Sequence, residues 1–243
     1  MAQISVNEFC SWLSPNEGFK NCRIRRPEER MRLLSDCGIK LLKHFDGKVT
    51  LLLKRSNGHI KRPDGKGLVD LLSTFEAYGD PLAKKTMVLA KLLKDEGLFA
   101  VRDPENIIMP IDYHVVRVAL RSGMIDVQNE GLRQRLKLRR FISRKEVFAI
   151  REACLQAYQV VSELSNISIF DVDTLFWQIG RNCCHFSHEP YCGERMCKIS
   201  YCTLIEAVEY ACGGKCILNE TCTASYNFDY VRFFEPKEIT YYY

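Results

Sequence analysis

The sequence predicts an all-α protein with a cysteine-rich segment near its C-terminus, and three observations carry that prediction. Apolar residues recur at three- and four-residue intervals in five stretches before residue 165, the period of a helix with one buried face. The connections between them are short and polar, as in GDP (79–81) and DPEN (103–106), too short to link independent domains. The cysteines are also segregated. Of twelve, Cys10, Cys22, Cys37 and Cys154 precede residue 182, and the rest fall between Cys183 and Cys222.

Taken in order, the helical stretches are EERMRLLSDCGIKLLKHF (28–45), GLVDLLSTFEAY (67–78), PLAKKTMVLAKLLKDEG (81–97), YHVVRVALRSG (113–123) and KEVFAIREACLQAYQVVSEL (145–164). Asp112 stands at the mouth of the fourth, where a carboxylate accepts hydrogen bonds from the unpaired first amides, and Pro110 keeps the preceding chain extended. The last eighteen residues, YNFDYVRFFEPKEITYYY, are aromatic and partly alternating. They read as a strand, as a hairpin around Glu235-Pro236-Lys237, or, the favoured reading, as an aromatic strap packed over the helices.

With 243 residues, 47% hydrophobic and 27% charged, the chain can bury a core as one large domain or two intimate lobes. No apolar run approaches the roughly 20 residues of a membrane span, and MAQISVNEFCSW lacks the basic and apolar regions of a signal peptide, so an intracellular protein is expected. Dense cysteines in such a compartment point to a metal rather than to disulfides. The net charge of +5 is concentrated. Seven of the fourteen residues of LRQRLKLRRFISRK (132–145) are basic, and RSNGHIKRPDGKG (55–67) adds Arg55, Lys61, Arg62 and Lys66 among glycines. Such runs either track a phosphate backbone or form a solvated helix face. Lys61, Arg62, Arg139 and Arg140 are the candidate nucleic-acid contacts.

In order, DPLAKKT, then PIDYHVVRV, then IGRNCC running into the cysteines resembles the helix-hairpin-helix DNA glycosylase superfamily, endonuclease III and MutY in particular. There a segment of type V-D-T-H-V-x-R follows the hairpin, matched here at Asp112, His114, Val115 and Arg117. G-R-x-x-C then enters an iron–sulfur loop of pattern C-x6-C-x2-C-x5-C, to which GRNCC and CGGKCILNETC are similar. The resemblance spans roughly residues 68 to 222. The hairpin departs from the pattern: L-P-G-x-G-x-K-T-A becomes YGDPLAKKTM, which keeps Lys85-Thr86 and lacks both glycines. It is similar to the divergent hairpin of archaeal 8-oxoguanine glycosylases, whose lysine and aspartate helices are joined by a longer connection.

The resemblance implies a two-lobed helical fold, with residues 31–124 as one lobe, 1–30 plus 125–243 as the other, and the active site opening between them. It implies a monomeric base-excision enzyme acting on double-stranded DNA that carries a lesion, with associated lyase activity. Asp112 then stabilises positive charge on the sugar and orients the nucleophile. Lys85, with Lys84 as its rival, supplies an amine that forms a Schiff base. Tyr78, Tyr113 and Trp177 are candidate walls for an extruded base, and His114 is a packing residue.

For the metal, the resemblance implies a [4Fe-4S] cluster on Cys184, Cys212, Cys216 and Cys222, with an insertion between the first two. A local set of Cys184, Cys192, Cys197 and Cys202 is the alternative. Zinc is the competing metal, and His185 and His188 extend the donor set. Two other functions stay open: a non-catalytic nucleic-acid-binding protein that kept fold and metal, and a nucleoside or RNA N-glycosidase.

Overall fold

The computed structural model describes residues 4–13, 24–185, 192, 196–198, 202–208, 212–240 and 242. Among the described residues all regular elements are helices, as expected. They form two compact units divided between Ile107 and Ile108. The expected lobes divided the chain after residue 124 and returned the N-terminus to the second lobe. Here the first helix packs on the second within the first unit, and the helix after Asp112 packs on later helices within the second.

In the first unit, α1 (Val6–Leu13) packs on α2 (Pro27–Phe45), which in turn meets α3 (Val49–Ser56). α4 (Leu68–Ser73) and a 3-10 turn, Glu76–Tyr78, lead into α5 (Lys84–Asp95). The apolar stripes meet in a core containing Leu52, Ile60, Leu68, Phe75 and Met87, with Phe45 stacked on Phe75 at 6.1 Å. The GHIKRPDGKG segment is pinned from below. Buried Asp103 accepts the Ile60 amide at 2.7 Å and the Lys61 amide at 2.9 Å.

The second unit is built around α6 (Tyr113–Ser122), seven of whose ten residues are buried. α7 (Glu130–Lys137) is capped by Asn129, α8 (Arg144–Ser165) by a reciprocal Ser143/Glu146 box, and α9 (Ile169–Asn182) by Ser168, each cap satisfying amides that the helix leaves unpaired. α8 and α9 pack on α6 and on each other, and the short α10 (Thr203–Ala207) packs on α9. Buried Tyr158 of α8 donates to the Val115 carbonyl at 2.8 Å.

The crossing of α6 and α9 requires glycine at one point. A β-carbon at Gly180 would lie 2.8 Å from the β-carbon of His114 and 2.9 Å from its carbonyl oxygen, closer than packed atoms approach. This is the glycine of the GRNCC motif, and it lets α9 lie on the first turn of α6. The aromatic tail forms neither strand nor hairpin among the described residues. It makes a short helix, α11 (Phe228–Val231), one isolated bridge between Phe141 and Lys237, and buried contacts through Phe233 and Glu235. The strap reading fits it best.

Candidate active site

Asp112 caps α6 and does more than cap. Its Oδ1 accepts the amides of His114 at 2.8 Å and Val115 at 3.2 Å. Its Oδ2 accepts the indole Nε1–H of Trp177 at 3.1 Å. Splitting the work this way leaves one oxygen on the helix end and holds the other against the indole of α9, and the residue is 5% exposed. The chain leading in is fixed as well, because Arg151 of α8 donates to the Ile111 carbonyl at 3.1 Å. The carboxylate stands at the positive end of the α6 dipole.

Trp177, a candidate wall for an extruded base, is therefore tied to the carboxylate. It also meets the His114 ring edge-on at 5.7 Å and lies under the Arg181 guanidinium at 5.2 Å. His114 does pack, as expected, between Tyr113 and Trp177. Burial drives its pKa below the ordinary value of 6.5 and Arg117 pushes the same way, while Asp112 pulls it up. A neutral ring accepts from the Arg117 Nη2 through Nδ1 at 3.1 Å.

Arg117, the last matched residue of the Asp-helix motif, is fully buried and joins three parts of the second unit. It donates to the Gly180 carbonyl at 2.8 Å, to the Cys184 carbonyl at 2.7 Å, and to Glu235 Oε2 at 2.8 Å. Sequence reasoning missed Glu235. Its signal was an acid directly after Phe233-Phe234 in an aromatic tail, where a buried counter-charge is one use of such a residue.

In the first unit, Lys85 stands in the first turn of α5, below a bend capped by buried Asp80, which accepts the Leu82 amide at 3.3 Å and the Lys84 amide at 3.1 Å. Ala83 takes the left-handed conformation there, φ 49°, the conformation in which glycine is least strained. Partial burial lowers the Lys85 pKa below 10.5, and the neighbouring charges of Lys84 and Arg30 lower it further. Both effects favour the free amine that a Schiff base needs. Lys84 is the more ordinary of the two, half-exposed beside it.

The basic run is largely spent inside the second unit. Arg133 pairs with Asp126 at 2.8 Å and with Asp229, Arg135 pairs with Glu146, and Lys137 holds Asp229 at 2.6 Å. Arg139 reaches Glu235 at 3.3 Å and lies over the Phe234 ring. Arg140 is exposed. In the first unit, Arg62 pairs with Asp64 at 2.8 Å, and Lys61 is exposed with its amide held by Asp103.

Among the described residues no three His, Cys, Asp or Glu side chains stand at coordinating distance around one point. A cavity of about 20 Å³, by the room left for the centre of a water, is nevertheless lined by Cys183, Cys184, Cys192, Cys216 and Cys222 together with Arg121. Of the ligands implied by the resemblance, Cys184, Cys216 and Cys222 line it. Cys212 directs its sulfur to the Lys215 carbonyl at 3.8 Å. Burial pushes the Cys192 thiol up to about 11 and the Cys222 thiol up to about 12. His188 lies outside the described residues.

A lysine turn, an aspartate-capped helix and a glycine-dependent crossing into the cysteines define a helix-hairpin-helix glycosylase. A family model described as AGOG, N-glycosylase/DNA lyase, matches residues 75–207, more than half of the chain. The chain belongs to the AGOG N-glycosylase/DNA lyase family, whose members act in DNA base-excision repair. No curated protein matches it. It is thus an enzyme with DNA as substrate, and no helix among the described residues is long and apolar enough to cross a membrane.

Proposed function

We propose that the protein acts as a monomer on double-stranded DNA, removes an oxidised guanine of the 8-oxoguanine class, and cleaves the strand at the resulting site. In this reading the free amine of Lys85 attacks the sugar carbon that bears the base. The base departs with the bonding electrons and takes up a proton; the attached amine then loses a proton, and its lone pair opens the sugar ring by expelling the ring oxygen, which takes up a proton as the protonated imine forms. The imine then draws electrons from the neighbouring C–H bond, and the 3′ phosphate leaves by elimination. Asp112 stabilises the positive charge that develops on the sugar while the bond to the base breaks.

The observation that carries this reading is the divided carboxylate of Asp112, buried and bonded on both oxygens. A simple cap needs one oxygen; the second, set by an indole donor, is aimed. The lowered pKa of Lys85 and the lyase description of the family support the amine route. A non-catalytic nucleic-acid-binding role leaves that arrangement without a use.

Borohydride trapping tests it. Wild-type protein with an 8-oxoguanine duplex should give a covalent protein–DNA adduct, and Lys85→Gln should give none while still binding the duplex. An adduct that persists in Lys85→Gln and disappears in Lys84→Gln moves the nucleophile one residue. Activity on free nucleoside without activity on duplex DNA overturns the substrate assignment.

A further inference from the structure

We propose that Cys184, Cys192, Cys216 and Cys222 hold a thiolate-bound metal centre in the cavity beneath α6, with Arg121 as its buried counter-charge. The inference rests on no part of the excision reading. It also selects a different ligand set from the one the resemblance implies, with Cys192 in place of Cys212.

The first support is convergence. These cysteines are spread over 39 positions of sequence, from 184 to 222, yet line one small chamber with Cys183, and the rest of its wall includes aliphatic Ile179 and Leu218. Cysteine is the one residue type here that is both comfortable in an apolar wall and a strong ligand for soft metals. Zinc takes four thiolates in closed structural sites, and an iron–sulfur cubane takes the same four.

The second support is charge. Arg121 is 2% exposed, and an arginine cannot shed its proton to suit burial. Its guanidinium donates to the Phe233 carbonyl at 2.8 Å, to the His185 carbonyl at 2.7 Å and to the Cys184 sulfur at 3.5 Å, and lies 5.5 Å from the Phe234 ring. Among the described residues no carboxylate pairs with it. Arg117, one turn earlier on the same helix, has Glu235. A buried cation without an anion costs several kcal/mol, and a metal bound by four thiolates carries the net negative charge that Arg121 otherwise lacks.

Cys212 is not among the residues that line the cavity; its sulfur meets the Lys215 carbonyl at 3.8 Å. Cys183, at the C-terminus of α9, lines the cavity as a fifth thiol.

The test is metal content of the full chain purified without oxygen. Zinc near one per chain, or iron and acid-labile sulfide near four each, both support the site and distinguish the two kinds of centre. Cys192→Ser and Cys216→Ser should lose the metal, Cys212→Ser should keep it, and Arg121→Gln should lower occupancy while Arg121→Lys restores it. Should the serine variants fail to fold, wild-type chain loaded with cobalt(II) decides instead, because its sulfur-to-cobalt absorption counts thiolates: four support the site, and fewer overturn it. A folded chain containing no metal, or one that keeps its metal in Cys192→Ser and loses it in Cys212→Ser, overturns the proposal.

Discussion

Two aspartates in this chain stand at the starts of two helices and are equally buried, yet their oxygens are used in different ways. Asp80 gives one oxygen to the Leu82 amide and the other to the Lys84 amide, so both serve the bend that presents α5. Asp112 collects both of its backbone amides on Oδ1 and offers Oδ2 to an indole from α9. Burial and motif position do not separate a cap from a reactive group here. In the proposed mechanism, the partition of the two oxygens does.

The largest expected effect breaks the comparison directly. Asparagine has one carboxamide oxygen where each aspartate uses two, so Asp80→Asn and Asp112→Asn each set an N–H against a donor and each cost about 1 kcal/mol of stability. Their effects on chemistry should differ. Asp112→Asn should slow single-turnover excision about 100- to 1000-fold, the loss typical of a removed charge-stabilising group, and Asp80→Asn should leave it within about threefold. Equal losses would make both residues caps and remove Asp112 from the reaction.

A pH series sharpens the contrast from the lysine side. Burial, helped by Lys84 and Arg30, holds the Lys85 pKa below 10.5, so the reactive free amine is more abundant at every pH below that value. Trapping yield should rise with pH and level off below pH 10.5. For stability the sign is opposite to that of a salt-bridged lysine. The unfolded chain binds this proton more tightly, so Lys85 costs stability below its lowered pKa, and the cost fades as pH rises to 10.5. Lys85→Gln should therefore melt no lower than wild type at neutral pH. A marked loss of stability would mean that Lys85 has a structural partner that outweighs its burial.

Much of this was legible beforehand, and the misses have physical reasons. Four of the five helical stretches are long helices, legible because each has a buried face and therefore a period; the fifth, 67–78, breaks into α4 and a 3-10 turn, and α9 follows the same rule but overlaps the GRNCC motif. The strain at Ala83 and the Trp177 bond leave no pattern, since each depends on a partner supplied by the fold. The run at 132–145 is legible only in part. Its charge is visible, but charge density does not say whether the partners are phosphates or the chain's own acids, and Asp126, Glu146, Asp229 and Glu235 take four of its seven cations.

A smaller effect concerns the indole that distinguishes the two aspartates. Trp177→Phe keeps an aromatic ring against His114 and removes one N–H donor, so Asp112 Oδ2 loses the contact that aims it. Excision should fall about tenfold, consistent with losing a hydrogen bond of roughly 1.5 kcal/mol to a charged acceptor. Asp112→Asn/Trp177→Phe should recover part of the stability lost in Asp112→Asn, since the opposed donor is gone. Unchanged excision would leave Trp177 a packing residue only.

The smallest expected effect lies in the lysine turn, at Ala83. Its backbone is left-handed at φ 49°, a conformation that costs a residue with a β-carbon roughly 1–2 kcal/mol. Ala83→Gly removes that strain but loosens the unfolded chain by about 0.5–1 kcal/mol, and it withdraws a buried methyl worth about 0.8 kcal/mol. The terms nearly cancel, so melting should move by less than about 1 kcal/mol equivalent, and trapping should stay at the wild-type level. The near-null outcome is informative. Wild-type trapping in Ala83→Gly would show that the backbone conformation, which glycine also adopts, is what presents Lys85. A large loss of trapping with melting unchanged would show that the methyl itself positions the amine, and the Asp80 bend would then have to be counted with the reactive groups rather than with the caps.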